Sequence, residues 1–331
     1  MSRLRVGLLA NPTAAQGAAH RVGRQVGHLL RLAGISVVDL SAPSAHLARA
    51  RAEEVRDSLT ALVVVGGDGT VSLGAEIVAG SPVRLGIVPA GSGNDFARAL
   101  GLSINDPEES TRALLHALSR PVVTIDAIEI IAAGEHALPH RSLALGNVNL
   151  GFDALVNARA NSSRARHTIR YAAALMRELP AFTPLPYWME IDGGERIELD
   201  ATILTLCSSG IFGGGMRIAP GSRIDDGMLE LVTVAGIGRS QLLRFFPRVY
   251  QGTHTALDAV KIQPVREVTF GLRHGRSLRA YADGEPRSLL PLTARVLPGA
   301  VRLLAELPGT TEAVDSNDDG SSEADSNEGA Q

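Results

Sequence analysis

The first 120 residues alternate short apolar runs with longer stretches of helical periodicity. Leu4 to Ala10 is followed by Asn11-Pro12 and an amphipathic stretch through about Ala33. Ile35 to Leu40 precedes a second such stretch, His46 to Leu59. Ala61 to Val65 enters Gly66-Gly67-Asp68-Gly69-Thr70, and Leu85 to Val88 enters Pro89 to Gly93; a helical pattern follows each. Brief apolar runs bounded by glycine turns and separated by helices predict parallel strands, because parallel neighbours need crossover connections. Ligands of such sheets bind beyond the carboxyl ends of the strands, where these glycine turns lie.

After Pro121 the pattern changes to strands: Val123–Ile131, Leu143–Asn147, Tyr187–Ile191, Ala201–Leu206, Leu229–Val234, Val265–Phe270, Leu278–Tyr281 and Leu292–Leu297. One basic helix, about Arg164 to Leu179, interrupts them. Many strands divided by Gly, Pro and Asp predict a β-sandwich. The expected fold is therefore an α/β domain with a parallel sheet over residues 1–121, followed by a β-rich domain over 122–291. The segment 292–307 is a candidate to pack back on the first domain. Residues 308–331 hold too few apolar groups to offset their ordering entropy and are expected to be a disordered tail.

Charge sharpens this division. The net charge is -3, but the tail carries seven acids and no base, which leaves +4 on the body. Cys207 is the only cysteine, so intrachain disulfides and cysteine zinc sites are excluded. Lys261 is the only lysine, so phosphate near the N-terminus must be held by backbone N–H groups, arginine or metal. The apolar run Val6 to Ala10 is too brief for a signal peptide, and nothing reaches the length of a membrane span. A cytoplasmic location is expected.

Two glycine turns carry the candidate chemistry. Gly66 to Thr70 ends a buried strand with glycines that let backbone N–H groups approach a phosphate at a helix start. A carboxylate there repels polyphosphate unless a cation intervenes, so Asp68 points to magnesium. Gly91-Ser92-Gly93-Asn94-Asp95-Phe96-Ala97-Arg98 repeats the arrangement, and Asn11-Pro12 is a third candidate contributor. The same residues also describe tight turns with Asx caps. Asp283-Gly284 reads equally as a hairpin turn, Asp225-Asp226-Gly227 as a turn between strands, and Glu285 as a partner for Arg287.

Taken in order, GGDGT at 66–70, GSGNDFAR at 91–98, Gly151-Phe152-Asp153-Ala154, Phe212-Gly213-Gly214-Gly215-Met216 with Ala219-Pro220, Asp225-Asp226-Gly227 and Asp283-Gly284-Glu285 resemble the diacylglycerol-kinase catalytic domain of soluble bacterial lipid kinases. That family is related to sphingosine and ceramide kinases. The resemblance spans roughly residues 4 to 305. A lone GGDGT also suits the NAD kinases, which share the nucleotide fold. The resemblance implies that Asn11, Gly66, Gly67, Asp68, Gly69, Thr70, Ser92, Gly93 and Asn94 hold ATP, with Arg98 as an adjunct. It implies that Asp68 and Asp95 organise catalytic Mg2+, with Asp126 as a third member. Asp283 matches the general base, and Asp226 with the backbone of Met228 matches a second metal site.

Three departures stand out. The first phosphate turn reads Asn11-Pro12-Thr13-Ala14-Ala15-Gln16-Gly17, without the usual basic residue, so Arg21 or Arg24 is the expected substitute. Ser72-Leu73 replaces a frequent Asn-Glu, and Ser208 replaces a usual Asn. The implied acceptor is a lipid hydroxyl, most simply that of diacylglycerol, met at a membrane surface on the inner face. The basic helix near Arg164–Leu179 and the segment Leu242 to Arg248 are candidate membrane contacts, each of which also describes an ordinary packed helix. A homodimer is possible, and a nucleic-acid partner is not expected because stacking aromatics are few. The competing readings are an NAD-kinase-like phosphotransferase and a non-catalytic lipid- or nucleotide-binding regulator.

Overall fold

The computed structural model describes residues 4–11, 17–104, 106–133, 141–152, 183–274 and 277–305, together with Ala154, Val156 and Arg177. In chain order its strands are β1 (Arg5–Ala10), β2 (Ser36–Asp39), β3 (Ala61–Gly66), β4 (Arg84–Pro89), β5 (Val123–Ala132), β6 (Arg141–Ala144), β7 (Asn147–Gly151), β8 (Leu185–Ile191) and β9 (Arg196–Cys207). There follow β10 (Ile211–Phe212), β11 (Met216–Arg217), β12 (Leu229–Ala235), β13 (Val260–Val265), β14 (Glu267–Leu272), β15 (Arg279–Ala282), β16 (Glu285–Leu289) and β17 (Leu292–Leu303). The described α-helices are α1 (Ala18–Leu32), α2 (Ala45–Val55), α3 (Asp68–Val78), α4 (Asp95–Ala99), α5 (Pro107–Ala117) and α6 (Arg239–Gln251).

β2, β1, β3 and β4 pair in parallel in that order. Successive residues of a strand point to opposite faces. Leu62 and Val64 accordingly enter one apolar core, and Val63 and Val65 enter the other. Both faces are covered, so these strands read as continuous apolar runs rather than alternating ones. Because the strands run the same way, β3 and β4 deliver both glycine turns to one edge of the sheet.

The β-rich part is antiparallel. β9 pairs with β8 through its first half and with β7 and β12 through its second. Leu204 and Leu206 of β9 enter a core inside the sandwich, while Ile203 and Cys207 face a separate core. Helix α6 covers that second core with Leu242, Phe245 and Val249. β17 joins the two parts: its start pairs with β14, and its end pairs in parallel with β4.

The sequence predicts one strand over Leu143–Asn147, where the structure has two, broken at Leu145-Gly146. The predicted strand Val265–Phe270 is likewise two, β13 and β14, with Arg266 between them. The predicted basic helix at Arg164–Leu179 lies outside the described residues except for Arg177, as do the altered turn at 12–16 and the acidic tail. Among the described residues, no helix is long and apolar enough to cross a membrane.

Candidate active site

The two glycine turns touch through their backbones. A Cβ on Gly91 would stand 2.3 Å from the Gly67 Cα, which leaves no room for a side chain there, and a Cβ on Gly67 would stand 3.2 Å from the Gly91 Cα. Asn94 adopts φ 59°, and its side chain holds its own turn: Oδ1 accepts from the Gly91 amide, and Nδ2 donates to the Gly91 carbonyl, both at 3.0 Å. Asn94 thus shapes the loop, while Ser92 and Gly93 line the cavity beside it. The cavity, about 620 Å³, lies between the α/β and β-rich parts and takes in Asn11, Gly67 to Thr70, Asp95 and Asp283. Helix α3 starts at its floor, where free N–H groups and the helix dipole favour an anion.

Three acids converge here from distant parts of the chain. Asp68 is partly buried, and its Oδ1 accepts from the Phe96 amide at 3.0 Å. Burial, then the charge of Asp95 and more weakly that of Asp283, push the Asp68 carboxyl from its ordinary 3.8 up to about 7; the Phe96 hydrogen bond opposes this. Asp95 is only 7% exposed, and both its oxygens accept from the Gly214 amide, at 3.1 and 2.9 Å. Arg98 Nη1 lies 3.4 Å from Asp95 and also donates to the Gly93 carbonyl. Arg98 is not among the residues lining the cavity.

Asp283 comes from the β-rich part. It forms with Gly284 the two-residue loop of the hairpin β15–β16, with φ 49° and 80°. An Asp-Gly pair with both φ positive suits a tight hairpin. The turn reading and the site reading of Asp283-Gly284 therefore hold together. Its carboxylate accepts four hydrogen bonds: Oδ1 from the amides of Gly146 and Asn147 at 2.9 and 3.0 Å, Oδ2 from the Leu145 amide at 2.8 Å and the Ser72 hydroxyl at 2.6 Å. The break between β6 and β7 frees those three amides. A carboxylate has about four acceptor sites, so this one is fully engaged. Of the four donors only Ser72 can rotate, and the Asp68 carbonyl at 3.1 Å is its alternative acceptor.

Other expected residues lie elsewhere. Asp126 does not join Asp68 and Asp95 in the cavity. It is buried where the 225–228 turn meets the bend of β17, and it accepts from the amides of Gly227 at 2.7 Å and Gly299 at 2.8 Å. That places it beside Asp226, whose Oδ1 accepts from the Met228 amide at 3.0 Å. Burial, and secondarily the charge of Asp226, raise the Glu230 carboxyl, which marks this turn as locally acidic. Arg21 and Arg24 are exposed on α1 and do not line the cavity, whereas Arg49 and Arg287 do. Arg287 pairs with Glu76 at 3.5 Å rather than with Glu285, and Arg49 pairs with Glu76 from the other side. Glu76 also accepts from the Leu143 amide at 3.1 Å, so it ties α3 to both parts of the molecule at the cavity wall. Sequence reasoning noted Ser72 only as a departure from the family pattern and missed Glu76 and Arg49, since only the fold brings them to the motifs.

The donor set suits a divalent cation. Asp68 and Asp95 lie close enough that the charge of Asp95 helps raise the Asp68 carboxyl, and a cation between them would relieve that repulsion. Among the described residues, no three His, Cys, Asp or Glu side chains are placed to ligate one ion by themselves. Magnesium is commonly held by one or two carboxylates, with water and substrate phosphate completing its shell.

Residues 5–127 match the family described as diacylglycerol kinase catalytic domain, and residues 146–305 match the YegS C-terminal NAD kinase beta sandwich-like domain. A diacylglycerol kinase of Mycobacterium tuberculosis H37Rv is 33% identical over 91% of this chain and 94% of its own length. A Chromohalobacter salexigens protein described as "Probable lipid kinase YegS-like" is 32% identical over 85% of this chain and 86% of its own. The crystal structure of a diacylglycerol kinase from Bacillus anthracis superposes with a TM-score of 0.66 at 17% identity, over 92% and 98% of the two chains. Yeast NADH kinase does so with 0.53 at 11%, over 92% and 84%. These two structural likenesses show the fold alone. The sequence relatives show more: the chain belongs to the diacylglycerol kinase catalytic-domain family. It is a lipid kinase, and kinase chemistry implies ATP as the phosphate source.

Proposed function

We propose that the protein transfers the γ-phosphate of ATP to the free hydroxyl of diacylglycerol, giving phosphatidic acid. The observation that carries this reading is the convergence of Asp283, from a hairpin of the β-rich part, on the two glycine turns that hold Asp68 and Asp95. The turns and the N-terminus of α3 hold the phosphate chain. Bound Mg2+, organised by Asp68 and Asp95, supplies charge neutralisation for the transferred group; such transfer depends on positioning and electrostatics more than on covalent help. Asp126, Asp226 and the backbone of Met228 are assigned to a second, structural metal position away from the reacting atoms.

The acceptor oxygen gives its proton to Asp283 as it bonds to the γ-phosphorus, and the β,γ-bridging oxygen departs with ADP. With all four acceptor sites of Asp283 occupied, a proton enters only when a donor withdraws. Ser72 does so by turning its hydroxyl to the Asp68 carbonyl. The test is transfer of labelled phosphate from ATP with magnesium into mixed micelles of diacylglycerol, sphingosine or ceramide. Labelled phosphatidic acid supports the reading, and label in another lipid replaces the acceptor while keeping the kinase.

The match of residues 146–305 to a domain described as NAD kinase beta sandwich-like favours one alternative, phosphorylation of a nicotinamide dinucleotide. NADP formed from NAD without any lipid product would establish it.

A further inference from the structure

Helix α6 is amphipathic in an unusual way: its outer face is neither acidic nor wholly polar. Leu242, Phe245 and Val249 are buried in the core beneath it. On the opposite side Leu243 and Tyr250 are each 43% exposed, and Pro247 is exposed between them. Spacings of four and three residues put these side chains in one row along the helix. Arg244 and Arg248, also exposed and four apart, flank that row. From Gly236 to Leu257 the chain has no Asp or Glu. Arg217, exposed on β11, joins the same rim: a Cβ on Gly252, at the end of α6, would stand 3.9 Å from its Cβ.

The helix also neighbours the cavity. Phe212, which lines the cavity, packs in the same core as Leu242, Phe245 and Val249, and its strand β10 pairs with β11, which carries Arg217. An apolar row with flanking arginines and no acids complements an anionic bilayer, where apolar side chains enter the headgroup region and bases meet lipid phosphate.

We propose that the outer face of α6, with Leu243, Pro247 and Tyr250 framed by Arg217, Arg244 and Arg248, docks the protein on an anionic membrane and turns the cavity mouth toward the bilayer. This rests on the reading that the acceptor is a bilayer lipid. Sedimentation of the full chain with vesicles tests it without turnover, so failure of docking and failure of that reading are separable. Binding to phosphatidylcholine–phosphatidylglycerol vesicles is expected to exceed binding to phosphatidylcholine alone. Each basic residue near an anionic surface strengthens binding about fivefold, so Arg244→Glu with Arg248→Glu should weaken it at least about tenfold. Turnover of a short-chain, water-soluble acceptor should be unchanged. Leu243→Trp should shift its emission to the blue on the anionic vesicles.

Unchanged sedimentation of the double variant, or an unshifted Leu243→Trp in vesicle-bound protein, would overturn the proposal. So would a double variant that loses only self-association, because a second copy of the chain would then be what covers the face. Vesicle binding as expected, with no lipid phosphorylated, would leave the docking face standing and discard the acceptor.

Discussion

Asp68 and Asp283 sit in the same cavity but in opposite circumstances. Asp283 has four donors, whereas desolvation and the charge of neighbouring Asp95 raise the Asp68 carboxyl to about 7. The fold binds a proton on Asp68 more tightly than the unfolded chain does. Between about pH 4 and 7 the unfolded state therefore binds fewer protons, and stability falls as pH rises through that window. Thermal melts of the metal-free protein should show this loss. Asp68→Asn should remove it and raise Tm near neutral pH, by about 2–4 °C per kcal/mol regained, while abolishing transfer. Added magnesium should stabilise the native chain and not the variant. Loss of the Ser72 hydrogen bond to a charged group should lower stability by about 1.5–3 kcal/mol. Because Ser72 must release Asp283 before a proton enters, Ser72→Ala should keep or raise kcat with the KM for ATP unchanged. A kcat lowered tenfold or more in Ser72→Ala would contradict release by Ser72.

Among the elements, the strands ending in glycine turns were the most legible in sequence, because burial on both faces leaves an unbroken apolar run. The contact between the turns was not legible. Spacing shows two glycine loops, but only the adjacency of β3 and β4 makes Gly91 meet Gly67. Gly91→Ala should therefore cost about 1–3 kcal/mol from overpacking and weaken ATP binding along with stability, as a melt and a nucleotide titration can show. Strand breaks were only partly legible. Gly146 marks a place where a strand can break, but nothing local announces that the amides there turn toward Asp283. Arg49 and Arg287 illustrate a further limit. A missing base in the first phosphate turn suggests a nearby arginine in sequence, yet Arg21 and Arg24 face solvent. The arginines on the cavity come from α2 and β16.

For the whole molecule, the order of motifs along the chain gave the family, and β17 shows why the order matters: it closes the parallel sheet after the β-rich part is complete. The charge division has its own consequence. The seven acids of residues 308–331 offset a body of +4, and charges act over a screening length that grows as salt is lowered. Deleting 308–331 should strengthen binding to anionic vesicles at low ionic strength and have little effect at high salt. Equal binding at low salt with and without the segment would make the division incidental.

The central claim, a kinase in which Asp283 takes the proton of a diacylglycerol hydroxyl, is tested most directly by one comparison. Transfer of labelled phosphate from ATP to diacylglycerol in mixed micelles is measured for the native chain and for Asp283→Asn, alongside ATP binding by each. The account predicts labelled phosphatidic acid from the native chain. It predicts a loss of about 10²–10⁴ in kcat for the variant, with ATP affinity unchanged. Undiminished transfer by Asp283→Asn, or no labelled phosphatidic acid from a native chain that binds ATP, would contradict it.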